Sequence, residues 1–249
     1  KRIFDDFTSV GLGYTIASVK IYDMEKDLSE IFQKEKGTDT ISKLSLNLSR
    51  DTRDSLLDPK SGYLLSALGE FNSKILGASV NTYKFETQAS NYYSFIDDMF
   101  TLHTGIKLGQ VDRIGGGSGK LAPIYERYFL GGGDTIRGFP YRSISPIDRN
   151  EDPYGGESMI IGNIEVTHPI YEFIRGAVFV DAGGVWRRAW DIKLNEFNVG
   201  AGYGLRIKLP YFSAPVKLDL AYPVVVSSKQ KNIKKKLRFH FNLGLTWSP

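Results

Sequence analysis

The stretch Gly115-Gly116-Gly117-Ser118-Gly119-Lys120 is the first that suggests chemistry, because a glycine-rich loop ending in lysine can wrap a phosphate. A phosphate loop also needs glycine five residues before its last glycine and a hydroxyl after the lysine. Ile114 and Leu121 stand there instead. The same run fails as a nucleophile elbow, because Lys120 replaces its second glycine. His103, His168 and His240 are isolated, with no second ligand at metal spacing, and read as lumen or interface polar residues. The absence of cysteine excludes a disulfide scaffold, a thiolate zinc site, an iron–sulfur centre and a cysteine nucleophile. No catalytic, cofactor-binding or metal-binding residue is therefore expected, and no enzyme.

One constellation remains. Residues 123–139 end in Gly-Gly-Gly-Asp-Thr-Ile136-Arg137-Gly138-Phe139, within a long polar connection. Glu165 and Asp181 fall on the polar faces of the two segments that follow, within a few residues of each other across a turn near 169–174. Two carboxylates facing one interior call for a cation, and Arg137 is planar, permanently charged and able to reach two acceptors. Either the connection folds back and Arg137 is pinned between the carboxylates, or Arg137 is a surface residue on a disordered loop. The residues themselves leave both open.

The elements that would position this constellation are strands. From Leu237, the residues Leu237, Phe239, Phe241, Leu243, Leu245 and Trp247 alternate with Arg238, His240, Asn242, Gly244 and Thr246. This period of two puts one set on each face of a strand. It recurs at Phe197–Ile207, Val216–Tyr222, Gly176–Gly183, Ile160–Thr167, Leu102–Gly109 and Lys43–Ser49. About ten strands are predicted, near 8–21, 39–50, 62–75, 79–93, 99–110, 158–168, 174–186, 195–208, 216–226 and 236–247. A short helix is predicted within Glu25–Lys36, where Leu28, Ile31 and Phe32 have helical spacing.

No apolar run is long enough for a transmembrane helix, but a closed sheet also satisfies its backbone in lipid with only one face of each strand apolar. The 41% hydrophobic content fits that case. Strands of about ten residues suit a tilted membrane crossing, and inward glycines suit a crowded interior. Aromatics at strand ends (Tyr92, Tyr93, Phe95, Tyr171, Phe173, Trp186, Trp190, Tyr211, Phe212, Tyr222, Trp247) read as interfacial girdles. Short turns at 51–62, 96–98, 168–174 and 210–215 oppose longer loops at 22–38, 111–157, 187–194 and 227–235, with one tight exception near 74–78. That asymmetry is the outer-membrane pattern. A long-stranded soluble sandwich shares the alternation with its sense inverted.

The formal charge of +4 is too small to point to nucleic acid. The run Lys229, Lys231, Lys234, Lys235, Lys236 reads as a solvated loop; in a barrel it would face outward, within reach of anionic headgroups.

Four motifs in order resemble those of outer-membrane barrel assembly factors of the BamA type. They are Ile136-Arg137-Gly138-Phe139; Phe179-Val180-Asp181-Ala182-Gly183; Asp51-Thr52-Arg53-Asp54 with Asp58-Pro59-Lys60-Ser61-Gly62; and the terminal strand with Phe239, Phe241, Leu243, Gly244, Leu245 and Trp247. The resemblance implies an all-β transmembrane barrel in the bacterial outer membrane, with loop 111–157 in the lumen and Arg137 against Glu165 and Asp181. It implies insertion of β-barrel clients at a lateral seam by β-augmentation, without covalent chemistry. Its implied partners are unfolded outer-membrane proteins, outer-membrane lipids, and assembly lipoproteins reached through periplasmic POTRA domains.

Those domains and six of the family's sixteen strands are not in the 249 residues, so residues 1–249 read as the C-terminal part of such a barrel. That part is not expected to insert clients alone. A polypeptide-secreting transporter of the same superfamily shares the Arg-Gly-aromatic loop, and a passive porin shares the architecture.

Overall fold

The computed structural model describes residues 5–23, 29–115, 120–209, 215–230 and 233–243. Ten antiparallel strands form one sheet in strict sequence order. They are β1 (Thr8–Ile21), β2 (Gly37–Asp51), β3 (Gly62–Asn72), β4 (Thr82–Phe95), β5 (Phe100–Arg113), β6 (Ser158–Tyr171), β7 (Ile174–Trp186), β8 (Asn198–Ile207), β9 (Val216–Val225) and β10 (Arg238–Leu243). Each predicted strand is present, with boundaries moved by a few residues. A one-turn helix, α1 (Glu30–Gln33), lies in the predicted helical stretch, while Leu28 lies outside the described residues. Among the described residues β1 and β10 are the sheet's two edges and do not pair with each other.

The sense of the alternation is that of a membrane barrel. Outward side chains are apolar and exposed: Leu44, Leu46 and Leu48 on β2, Val178 and Val180 on β7, Phe239, Phe241 and Leu243 on β10. Inward ones are polar and buried: His103, Asn163, Asp181, Asn198, Arg206 and Asp219. A soluble sandwich would bury the first set and expose the second.

Two of the expected girdle aromatics are buried. Tyr92 is buried and stacks on His103 at 4.5 Å, and Trp186 is buried against Phe197 at 5.7 Å. Tyr92 shares the inward parity of Ser90 on β4, whereas Trp186 has the outward parity of Val178 and Val180 and is covered by Phe197 from the connection before β8. Tyr93, Tyr171, Phe173, Trp190 and Tyr222 are exposed; Tyr211, Phe212 and Trp247 lie outside the described residues.

Connections 52–61, 96–99, 172–173 and 208–215 close one end, and the longer 22–36, 114–157, 187–197 and 226–237 close the other, together with 73–81. β6 runs through Pro169 to Tyr171, and the register slips between those two residues. Proline lacks an N–H for the ladder, so a strand carries it at such an irregularity. In the 52–61 turn, Asp54 Oδ1 accepts the backbone N–H groups of Lys60 (2.9 Å) and Ser61 (3.2 Å). Burial pushes the Asp54 carboxyl up, but these donors outweigh it and hold it below its ordinary range. Gly62 closes the turn at φ +95°, and a β-carbon there would collide with the Thr52 carbonyl.

Candidate functional site: a loop pinned inside the sheet

Residues 120–157 fold back along the inward face of the sheet. The main apolar cluster forms there, where Leu130, Ile136, Phe139 and Ile144 of the loop pack with Val111, Met159, Ile161 and Val185 of the wall. The loop thus adds apolar filling to an inward face on which many strand positions are polar or tiny.

Arg137 is the centre of the site and is buried. Its Nε donates to Asp181 Oδ2 at 2.7 Å and its Nη2 to Asp181 Oδ1 at 2.8 Å, a two-pronged pair. Its own backbone N–H donates to Asp181 Oδ2 at 3.0 Å. Nη1 reaches Glu165 Oε2 at 2.8 Å and Asp219 Oδ2 at 3.4 Å. The guanidinium lies over the Phe179 ring, with Cζ 3.3 Å from its centre. Three walls, β6, β7 and β9, therefore hold one loop side chain, and of the two alternatives open in the sequence the structure has the pinned one.

The flanking residues explain the strand motif. Phe179 offers its ring face to Arg137, Asp181 offers both oxygens, and Gly183 leaves room for Ile136, whose Cδ1 would sit 3.0 Å from a β-carbon there. Gly138 needs its glycine twice over: its φ is +90°, and a β-carbon would sit 2.9 Å from the backbone of Tyr222. On β8 a side chain at Gly200 would collide with the Arg137 carbonyl oxygen, so the bare backbone there lets the loop approach.

Three participants were not singled out from sequence. Arg206 donates to Glu165 (2.8 and 3.1 Å) and to Asp219 Oδ1 (2.6 Å), and Asn163 donates to Asp181. The signal available was parity: Asn163, Arg206 and Asp219 all sit on polar faces of alternating strands. Below Arg137 lies a cavity of about 390 Å³, lined by Asp58, His103, Glu165, Lys217 and Asp219 among others.

A second anchor, of opposite sign, holds the start of the loop. Glu126 lies 3.7 Å from Lys43 Nζ on β2 and 3.9 Å from Lys84 Nζ on β4. Lys43 also pairs with Glu70 at 2.9 Å, and Glu86 with Lys84 and Lys107 at 3.3 and 3.1 Å. Beside it, Arg127 donates to the Ala122 and Tyr154 carbonyls and pairs with Glu35, while Tyr125 donates to Asp39 at 3.2 Å. Glu157, at the loop's end, accepts from Ala122 N–H at 2.6 Å, and burial pushes its carboxyl above the ordinary range.

His240 faces the lumen and His168 is half-buried beside Tyr203, 3.1 Å from its hydroxyl, so the three histidines do not converge. Among the described residues no cluster of histidine and acidic side chains could hold a metal ion. Phe239, Phe241 and Leu243 line the outward face of β10; Gly244, Leu245 and Trp247 lie outside the described residues, as do Gly116–Gly119.

A family model described as the Omp85 superfamily domain matches residues 2–247. The chain is 30% identical over 248 residues to the outer membrane protein assembly factor BamA of Nitratidesulfovibrio vulgaris, covering 96% of this chain and 30% of that protein. It is 30% identical over 206 residues to the human sorting and assembly machinery component 50 homolog, covering 74% of this chain and 42% of that one. A crystal structure of BamA from Haemophilus ducreyi lacking POTRA domains 1–3 superposes with a TM-score of 0.76 at 21% identity, over 97% of this chain and 52% of that one. The chain thus spans 30–52% of the length of these relatives.

Proposed function

Since this chain belongs to the Omp85 superfamily, we propose that it forms part of a factor that assembles β-barrel proteins into the bacterial outer membrane. The strands lie in that membrane, apolar face to lipid. Client entry uses the edge of the terminal strand: a client strand pairs with β10, gaining backbone hydrogen bonds in place of water, and no covalent bond is made or broken. The partners are unfolded outer-membrane proteins and accessory assembly proteins, with lipid around the outward face.

The observation that carries this reading is the state of β10. Among the described residues it pairs with β9 from Arg238 to Leu243, and its other edge has no strand beside it. An exposed edge with an apolar outward face is a template for a further strand. The lumen supports assembly over passive permeation, because the pinned loop fills space that a porin leaves to water.

No cysteine within these 249 residues competes with one introduced there. Phe241→Cys on β10 and Val178→Cys on β7 both face lipid, but only the first borders the open edge. A client with one cysteine in its terminal strand, supplied to the full-length protein in proteoliposomes, is expected to cross-link to position 241 and not to 178. Client insertion with equal or no cross-linking at 241 would refute the edge as the entry point.

A further inference from the structure

The inward side chains of β10 do not point into open lumen; they grip the loop. His240 Nε2 accepts the Gly138 backbone N–H at 2.9 Å, and Arg238 Nη1 donates to the Gly138 carbonyl at 2.8 Å. The next inward residue, Asn242, fills the space beside Gly133, where a β-carbon would sit 2.8 Å from its Nδ2. Both polar groups of one peptide residue are thus taken by two side chains of the terminal strand. Gly138 follows Arg137, which β6, β7 and β9 hold through Glu165, Asp181 and Asp219.

Among the described residues β10 pairs with β9 from Arg238 to Leu243. The two side-chain bonds to Gly138 add to that ladder in fixing the position of the strand. Gly138 also lies against the β9 backbone at Tyr222 and Pro223, so the loop touches both strands at the edge of the sheet.

We propose that Arg238 and His240 are positioning residues that hold the terminal edge strand to the lumen loop by gripping the two sides of Gly138. The position of the free edge of β10 is then set by the loop, which is itself locked through Arg137. For His240 to accept at Nε2, its proton sits on Nδ1. Any role for this grip in client entry rests on the edge reading above; the grip itself does not.

The test is amide hydrogen exchange on the full-length protein in lipid nanodiscs. His240→Ala and Arg238→Ala are each expected to speed exchange of the 238–243 amides by about tenfold, the equivalent of losing one hydrogen bond, while the β6–β7 amides hold their rates. His240→Gln is expected to restore protection, because its amide oxygen also accepts. Arg238→Lys is expected to restore part of it.

Unchanged β10 exchange in the alanine variants, or a glutamine variant that behaves like alanine, would overturn the grip. If the variants fail to fold, nitrogen NMR of wild-type His240 decides: the grip requires the Nδ1–H tautomer, and the Nε2–H tautomer would refute it. Client insertion is read separately. Faster β10 exchange with an unchanged insertion rate would leave the grip standing and count against the edge as the entry point.

Discussion

Arg137 is held by geometry that lysine cannot reproduce. The fork meets Asp181 through two parallel bonds and a third nitrogen reaches Glu165, whereas an ammonium is a point charge without the planar face that lies over Phe179. Removing one partner leaves buried, uncompensated charge, which typically costs ~3–5 kcal/mol. Arg137→Ala and Asp181→Ala should each lower the temperature of heat-modified migration on gels, with Arg137→Lys in between. The double variant should lose far less than the sum, and full additivity would show that the two side chains do not act together. Glu157 behaves in the opposite way. Its burial raises the carboxyl above the ordinary glutamate range, so the ionised form is the disfavoured one in the fold. Its stabilising contribution is complete below the ordinary glutamate value and is lost as pH rises through the raised one. Glu157→Gln keeps an oxygen for the Ala122 N–H, so it should leave stability unchanged at low pH and raise it at neutral pH; thermal unfolding at both values checks the sign.

At the scale of elements, the glycines of β8 show how a strand is shaped to receive a loop. Gly200 admits the Arg137 carbonyl and Gly202 admits the Phe179 ring, so β8 is a groove rather than a wall. Gly200→Val, which β propensity alone would favour, is expected to push the Arg137 backbone off the sheet. Trypsin cleavage after Arg137 in the folded protein should then rise at least tenfold over wild type. The strands themselves were legible because a period of two persists wherever one face meets lipid and the other a polar interior; a one-residue error inverts every side chain, so the register is strongly encoded. Arg137, Glu165 and Asp181 were legible as a set because their charges needed one another. Asp219 and Arg206 were not, because which inward residues meet across β8 and β9 depends on how far the strands are sheared, and alternation carries no shear. The loop was the least legible element: its bridges, such as Leu130 with Ile144, follow no period, and its apolar residues read as scattered until the wall is in place. Tyr92 misled because aromatic type suggested the interface while parity pointed inward, and Trp186 because the connection that covers it follows no period.

At the scale of the whole molecule, the interior has an electrical polarity that matches the loop. Arg137, one loop cation, meets the carboxylates of β6, β7 and β9; Glu126, one loop anion, meets Lys43 on β2 and Lys84 on β4. Reversing the loop's direction would bring like charges together at both ends, so the two anchors specify its orientation as well as its attachment. They differ in strength. The Arg137 anchor has direct bonds of 2.7–2.8 Å, while Glu126 stands 3.7 and 3.9 Å from its lysines and is held mainly by longer-range attraction. The anchors share no ion-pair partner, and the apolar cluster, with Ala122 and Tyr128 as well as Ile136 and Phe139, spans both ends. Their losses should therefore add. In planar bilayers the full-length protein should show little steady conductance. Glu126→Lys should open it only briefly, Arg137→Ala longer, and the double variant should give a steady open level, because both ion-pair anchors to the strands are then gone. A double variant as quiet as wild type would mean that the apolar cluster alone retains the loop and that the charge pattern only orients it.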